Sequence, residues 1–376
     1  MRKVFAALAL LLPIAALIGA VTLGLHHFSE TKAASIKSLV VCTPTGFIRD
    51  AMDLTAAVIP TAVSPNVRGV VNATGCNIGV YYGPGIKGSV RAEVFGANYF
   101  GVVNNGSNIT VSYSSIHNIG DNPFDGVQRG VGVYFAYDIG AKGTISNNRI
   151  SQYQKGGIVV TGSTSSATIA NNTVTGFGPV NFIAQNGIEV GAGAKGTVTE
   201  NTVTGNSYTG PGFASSGGIL VFGGACYGTP LTVGTKIQYN TLKGNDVGVF
   251  LSNLNVDANN NCTVLPATPT NIVTNKNIIK DDAVNNTTGG NLLGAPGGYQ
   301  AGISDEGNGD RLTNNKICGV GYTPVPNPPP YLSMIDIIAT NPVVSDNTSC
   351  STGRNISNTA DPKTKVRNHS MVIPAH

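Results

Sequence analysis

The sequence predicts an all-β body, a long coil of short stacked strands, on three observations. A nine-residue phrase is written nearly twice, TIANNTVTG from Thr168 and TVTENTVTG from Thr197, 29 positions apart. A glycine followed by alternating apolar residues recurs at Gly79, Gly101, Gly132, Gly157, Gly187, Gly218 and Gly248, at spacings from 22 (Gly79 to Gly101) to 31 (Gly101 to Gly132). No stretch beyond the first 25 residues keeps a helical apolar period. Repeats of about 20–50 residues are the mark of a solenoid, in which no unit can bury its apolar face alone and each stacks on the next.

The elements follow in chain order. An uncharged, mostly apolar run from Val4 to Leu25 follows Arg2 and Lys3, as expected of a segment that carries the chain across a membrane. Residues 1–34 are therefore expected to be a signal peptide, cut near Ala20 or Ala33–Ala34, or an uncleaved anchor with the rest of the chain outside. TGFIRDAMDLTAA, from Thr45 to Ala57, is expected to cap the open end of the first coil. The β-coil itself is expected over residues 35–350.

Within the coil, the glycine phrase alternates with a second phrase, an apolar residue, two others, Asn, one other and an apolar residue. Its copies are ISNNRI from Ile145, IANNTV from Ile169, VTENTV from Val198, IQYNTL from Ile237 and LTNNKI from Leu312, with weaker copies VTNKNI from Val273 and VSDNTS from Val344. Both phrases are β-branched and alternating, hence strands. Asn148, Asn172, Asn201, Asn240, Asn315 and Asn347 share one place in the repeat, where asparagine tolerates a left-handed turn and its amide can bond from coil to coil. Asp281 to Gln300 reads as a Gly/Asn-rich insertion, and TPVPNPPP from Thr323 to Pro330 as extended polyproline before a last coil around MIDIIAT. Residues 351–376 read as a disordered polar tail.

Composition narrows the function. Only 11% of residues are charged, against about 25% in ordinary domains. Without Arg2 and Lys3 the balance is 21 basic to 19 acidic residues, which offers nucleic acid no basic footprint. Six cysteines in an exported chain point to disulfides; of the 15 pairings, proximity favours Cys42–Cys76, Cys226–Cys262 and Cys318–Cys350. No CxxC is present and no histidine clusters with cysteine, so no zinc site is expected.

On these repeat phrases, over roughly Asn72 to Cys350, the chain resembles the right-handed parallel β-helix proteins of the pectate-lyase-like superfamily. That resemblance implies a right-handed parallel β-helix, and a range of activities that includes polysaccharide lyases, glycosidases, esterases, epimerases, tailspikes and adhesins. Fold alone does not choose among these. The family's Gly-His-Gly and Arg-x-Pro-x-x-Arg phrases are absent, as are tryptophan, GxSxG and HExxH. The two GxGxxG matches, from Gly83 and from Gly191, precede strand-like SVRAEVF and TVTENTV, so they read as turns.

Alternation supplies a candidate surface. With Val80, Val133, Ile158, Ile188, Ile219 and Val249 inward, Tyr81, Val103, Tyr134, Val159, Glu189, Leu220 and Phe250 face outward in one column. The aromatic rings Tyr81 and Tyr134 suit stacking on sugars, unless a loop roofs the column. Gln128, Arg129, Lys155, Gln185, Asp246 and Gln300 stand just before the glycine phrases and would line its edge. In a uronide lyase, Arg129 or Lys155 near Glu189 would offset the substrate carboxylate and take the C5 proton. Two acidic loops add carboxylates, Asp121 and Asp125 with His117 and Arg129 in one, Asp305, Glu306 and Asp310 with Arg311 in the other. Paired carboxyls suit glycoside hydrolysis, and such oxygens can hold calcium, the one cofactor the sequence points to. Asp305 falls where an inward apolar residue belongs.

The functional expectation is an exported β-helix that binds an extracellular polysaccharide or cleaves it as a lyase or glycosidase. Its catalytic candidates are Glu189, Asp305, Glu306, Asp310 and Arg311. Its binding candidates are Tyr81, Tyr134, His117, Asp121, Asp125, Arg129, Lys155 and Asp246. The rival is a non-catalytic structural or adhesive solenoid at the cell surface. An ice-binding face would need longer threonine columns than Thr144, Thr168 and Thr197.

Overall fold

The computed structural model describes residues 40–136, 139–210, 214–262, 264–280, 300–318, 332–337, 339–349, 356–358 and 366–367. The expected leader, the Asp281 insertion and the polyproline segment lie outside them. Each coil contributes one strand to each of three parallel ladders. The first ladder runs through Ile78–Tyr82, Phe100–Asn104, Val131–Phe135, Gly156–Thr161, Asn186–Gly191, Gly217–Gly223, Val247–Asn253, Gln300–Asp305 and Leu332–Ile337. The second and third are the two arms of the asparagine phrase, for example Ser166–Ala170 and Thr173–Thr175. Ile145 pairs with Ile169, and Ile169 with Val198. The aliphatic side chains of the three ladders converge on one continuous core in which Val80, Ile145, Ile169, Ile188, Ile237 and Leu312 are fully buried.

The asparagines form the expected ladder. Asn148 Nδ2 donates to Asn172 Oδ1 at 2.9 Å, Asn172 to Asn201 at 2.9 Å, and Asn201 to Asn240 at 3.0 Å. Asn240 then donates to Asn277, Asn277 to Asn315, and Asn315 to Asn347. The residue before each is left-handed, as at Asn147 (φ 56°), Asn171 (φ 57°) and Glu200 (φ 57°). Asn277 corrects the phase of the copy read from Val273. Thr274, not Val273, pairs with Ile237 and points inward, because amide continuity sets the phase where apolar pattern misleads.

The glycine phrase has a steric origin. A Cβ on Gly101 would lie 2.5 Å from the carbonyl oxygen of Gly132 and 2.7 Å from an Ile116 methyl, and one on Gly132 would meet Gly157 and Ile150 in the same way. Neither has a left-handed backbone, so close approach between coils, not turn geometry, demands glycine there. Gly85 (φ +79°) and Gly193 (φ +84°), by contrast, are turn glycines, and strands Lys87–Phe95 and Lys195–Thr199 follow them.

The N-terminal cap is a hairpin, Thr43–Arg49 antiparallel to Met52–Val58. Only Ala56 and Val58 join the first ladder, opposite Ile78 and Val80. The rest folds over the outer face and drops Phe47 onto Tyr81 (5.8 Å between ring centres), Phe100 (6.2 Å) and Tyr134 (6.5 Å). This makes a second apolar cluster outside the coil, with Leu54, Tyr81, Val103, Val131 and Val159 buried in it. Its tip is held by Asp50, which accepts a 2.9 Å bond from the Tyr99 hydroxyl.

Cys42–Cys76 ties this cap to the first coil and Cys226–Cys262 joins two loops farther along, with Cα separations of 5.4 and 5.1 Å. Cys350 lies outside the described residues. Past it, where a polar tail was expected, Ile356–Asn358 and Val366–Arg367 continue the ladders in parallel register. Among the described residues no helix is long and apolar enough to cross a membrane.

Two outcomes follow. Asn201→Ala strands the Ile169 carbonyl and the Asn172 amide inside the coil, so the denaturation midpoint is expected to fall by the equivalent of about 2–4 kcal/mol. Phe47→Ala is expected to cost about 3 kcal/mol and to open the hairpin, read as faster amide exchange over residues 43–58 with the coil unchanged.

Candidate functional site

The outward column exists in register: Tyr81, Val103, Tyr134, Val159, Glu189, Leu220 and Phe250 pair in succession along the first ladder. The structure divides it. From Tyr81 to Val159 it lies under the Phe47 hairpin, with Tyr81 only 6% exposed and Tyr134 stacked on Phe100 at 4.8 Å. From Glu189 onward no residue of the column belongs to the Phe47 cluster, and Glu189, Leu220 and Phe250 are half-buried on the outer face, the floor of a candidate groove beside Phe222. Tyr81 and Tyr134 are thus part of the roofed cluster, not sugar platforms.

One wall of the groove is built on the neighbouring outward column, Gly191, Phe222 and Ser252. The Phe222 ring occupies the space a side chain at Gly191 would fill. Tyr227 packs edge-on against Phe222 at 5.3 Å. It sits at the end of a single 3-10 turn, Ala225–Tyr227, fixed by Cys226–Cys262 and closed by left-handed Gly228 (φ 61°). The Tyr227 hydroxyl lies 2.5 Å from Ser252 Oγ, and Ser252 donates its one proton to Glu306 Oε2 at 2.7 Å. Tyr227 is therefore the donor in a relay from Tyr227 through Ser252 to the Glu306 carboxylate. Burial, and then the charges of Glu306 and Glu189, push its phenol above the ordinary range, while the Ser252 bond opposes them.

At the opposite edge, Asn186 Nδ2 donates to Glu189 Oε2 at 3.1 Å and the Lys155 ammonium donates to the Ala184 carbonyl at 2.8 Å. Burial raises the Glu189 carboxyl against the pull of Lys155 and Asn186. The same burial lowers the Lys155 ammonium against the pull of Glu189. Desolvation thus favours the neutral form of each, the condition in which one can give a proton and the other take one.

The remaining candidates are scattered. Asp305 and Asp310, expected near a substrate, are fully buried and face the interior. Arg311 is exposed on the second ladder, so of this acidic loop only Glu306 reaches the groove. Asp246 is also fully buried, accepting bonds from Ser207 Oγ and from the Tyr208 and Ser216 amides. It shapes a corner where no polymer can touch it. Arg129 is spent on Asp121 (2.7 and 2.8 Å) and on the Tyr99 hydroxyl (2.8 Å), contacts that raise its pKa still further, so it serves as no base. Asp125 is bound by Gln154 at 3.0 Å. His117 stacks on Phe95 at 5.4 Å and bonds Glu93 at 3.1 Å on the third ladder, away from the groove.

Asp305 and Asp310 do have a physical role. Asp310 Oδ1 accepts from Thr270 Oγ1 (2.6 Å) and the Ile272 amide (2.7 Å), and Asp305 Oδ1 accepts from the Gly307 amide (2.9 Å). The second oxygen of each, Asp305 Oδ2 and Asp310 Oδ2, is buried without a hydrogen-bond partner, and burial together with the charge of one on the other favours a protonated carboxyl here. Burial first, and then the Asp310 charge, pushes Asp305 well up; burial pushes Asp310 up to about 6. Among the described residues no group of three or more His, Cys, Asp or Glu side chains is placed to hold a metal. The calcium expected of these loops would have to do with fewer carboxylates.

The family described as right handed beta helix region matches residues 66–229. No curated protein matches the chain. Among solved structures, the A-module of mannuronan C-5 epimerase AlgE6 from Azotobacter vinelandii is similar at 14% identity, over 80% of this chain and 69% of that one, with a TM-score of 0.40. DFA-IIIase from Arthrobacter chlorophenolicus A6 is similar at 12% identity, over 86% of each chain, with a TM-score of 0.41. Alginate lyase from Paenibacillus sp. is similar at 13% identity, over 81% of this chain and 87% of that one, with a TM-score of 0.35. Likeness at this level carries nothing about the chemistry of this chain.

The carboxyl pair makes a signed prediction. Because the folded chain holds protons that the unfolded chain releases above about pH 4, stability falls as pH rises from about 4 through the Asp310 value of about 6. The loss is on the order of 2–3 kcal/mol. Asp305→Asn combined with Asp310→Asn removes both buried titrating groups, and melting curves across pH 4–8 are expected to lose most of that slope.

Proposed function

We propose that this chain, a right-handed parallel β-helix protein, is exported, binds an extracellular polysaccharide along the unroofed half of its first ladder, and hydrolyses it there with Glu189 as general acid. The observation that carries this reading is the Glu189 carboxyl, set between Val159 and Leu220 in the outward column and held toward its protonated form by burial. A neutral carboxyl on the floor of an open groove is placed to give its proton to a leaving glycosidic oxygen. Glu306, which accepts from Ser252, supplies the carboxylate that takes a proton from the attacking water as the anomeric C–O bond breaks. Leu220, Phe222 and Tyr227 offer apolar and aromatic surface to sugar rings, and Lys155 and Asn186 offer donors to their hydroxyls. Two disulfides support an oxidising location outside the cytoplasm.

A non-catalytic solenoid is the second reading, favoured by the Phe47 hairpin, which spends half of the outward column on packing.

The test is reducing-end release and affinity electrophoresis with a panel of soluble polysaccharides. Glu189→Gln is expected to lower kcat by about 10²–10⁴-fold while retardation by the polymer persists. Wild-type kcat is expected to fall as pH rises through the Glu189 pKa, and the variant to lack that limb. Release of unsaturated uronides would replace hydrolysis with proton abstraction by Lys155. Neither turnover nor retardation with any polymer would leave the solenoid reading.

A further inference from the structure

A second cleft, of about 820 Å³, lies apart from the groove among Phe95, Phe124, Phe177, Phe182, Asn98 and Asn122. Its floor is backbone, because the turns that lead into the first ladder carry Gly75, Gly96 and Gly120 at this level. Its walls are two loops, residues 118–130 and 176–185. Each is fixed from beneath by a fully buried glutamine. Gln154 accepts from the Asp121 amide (2.9 Å) and donates to the Val127 carbonyl (2.8 Å). Gln185 accepts from the Phe177 amide (2.8 Å) and donates to the Tyr153 carbonyl (2.7 Å). The aromatic rings are thus presented on braced backbone: Phe124 and Phe177 meet edge-on at 5.4 Å while Phe177 stays 50% exposed.

Keeping a phenylalanine half in water costs burial that a packed loop would have gained, and here three wall rings share one cleft of ligand-pocket size. The charge of the lining decides what fits. Its one ionisable side chain, Asp121, has both oxygens taken by Arg129; what remains for a ligand is amide, hydroxyl (Thr74), backbone and aromatic surface. That chemistry matches an uncharged ring with an apolar face and a hydroxylated edge.

We propose that this cleft is a second carbohydrate subsite, which takes a neutral sugar residue of the polysaccharide. The inference rests on the reading of the groove as a polysaccharide site. The two sites share the 176–185 loop, which carries Phe177 and Phe182 to the cleft and offers its Ala184 carbonyl to Lys155 at the groove. A polymer too long for the groove thus has a second hold on the same body, which raises retention without touching the reacting bond.

The test uses affinity electrophoresis of the full chain in neutral polymers (xylan, galactomannan, laminarin and inulin) and in acidic ones (polygalacturonate and alginate). Phe177→Ala and Phe182→Ala, made separately, are expected to weaken retardation by a neutral polymer about tenfold, close to 1.4 kcal/mol. Phe177→Tyr is expected to restore it, with melting temperature and turnover of short oligosaccharides unchanged. Wild-type affinity of both alanine variants for every polymer, or equal losses for neutral and acidic ones, would overturn the subsite. Retardation of the wild type by acidic polymers alone would overturn it and leave the groove intact. Loss of retardation in Glu189→Gln with the alanine variants unaffected would place all binding in the groove.

Discussion

The structure depends on one constraint: a coil with a few inward aliphatic side chains cannot shield them without a coil above and below. Register is the solution, and two devices enforce it. Buried asparagine amides bond from one coil to the next at 2.9–3.0 Å, and shifting a coil by one residue would break that chain as well as turn its aliphatic residues outward. The glycine column lets adjacent coils approach so closely that no other residue fits. Both act between coils, so a change in either is felt in two coils at once.

Register also makes the candidate site. Every coil repeats the same outward position, and what varies is the residue there and what covers it. Phe47 roofs the stretch from Tyr81 to Val159 and leaves the stretch from Glu189 to Phe250. Glu189 is desolvated because the column around it is apolar, although it stands on the outside of the coil. Asp305 shows the opposite use of the same regularity. It takes an inward position opposite Leu251, where its carboxyl accepts from the Gly307 amide and burial beside Asp310 pushes it toward the protonated form.

Sequence made the coil legible because its signals are local and repeated; Val/Ile alternation and the asparagine phrase place Ile145, Ile169 and Val198 in one stack without knowledge of any loop. The same alternation put Glu189 outside. The rest depended on contacts between distant segments. Phe47 is one aromatic residue in an expected cap, and nothing near it announces that its ring reaches Tyr134. The relay through Ser252 escaped because its members stand at positions 227, 252 and 306, brought together by a disulfide-pinned turn and by the pairing of Leu251 with Asp305. Alternation places Asp305 inward, yet Asp305 and Asp310 are expected at a substrate and Asp246 at the column's edge because a carboxylate suggests solvent; here backbone amides and hydroxyls satisfy carboxylates inside the body.

Hydrogen exchange with and without oligosaccharides of a polymer that the protein binds tests the central claim most directly, since it reports where on the stack a ligand sits. The account predicts slower exchange in peptides covering Asn186–Gly191, Gly217–Gly223 and Ala225–Tyr227, with Thr43–Arg49 unchanged. Protection confined to the second and third ladders, or centred on the Phe47 hairpin, would contradict it.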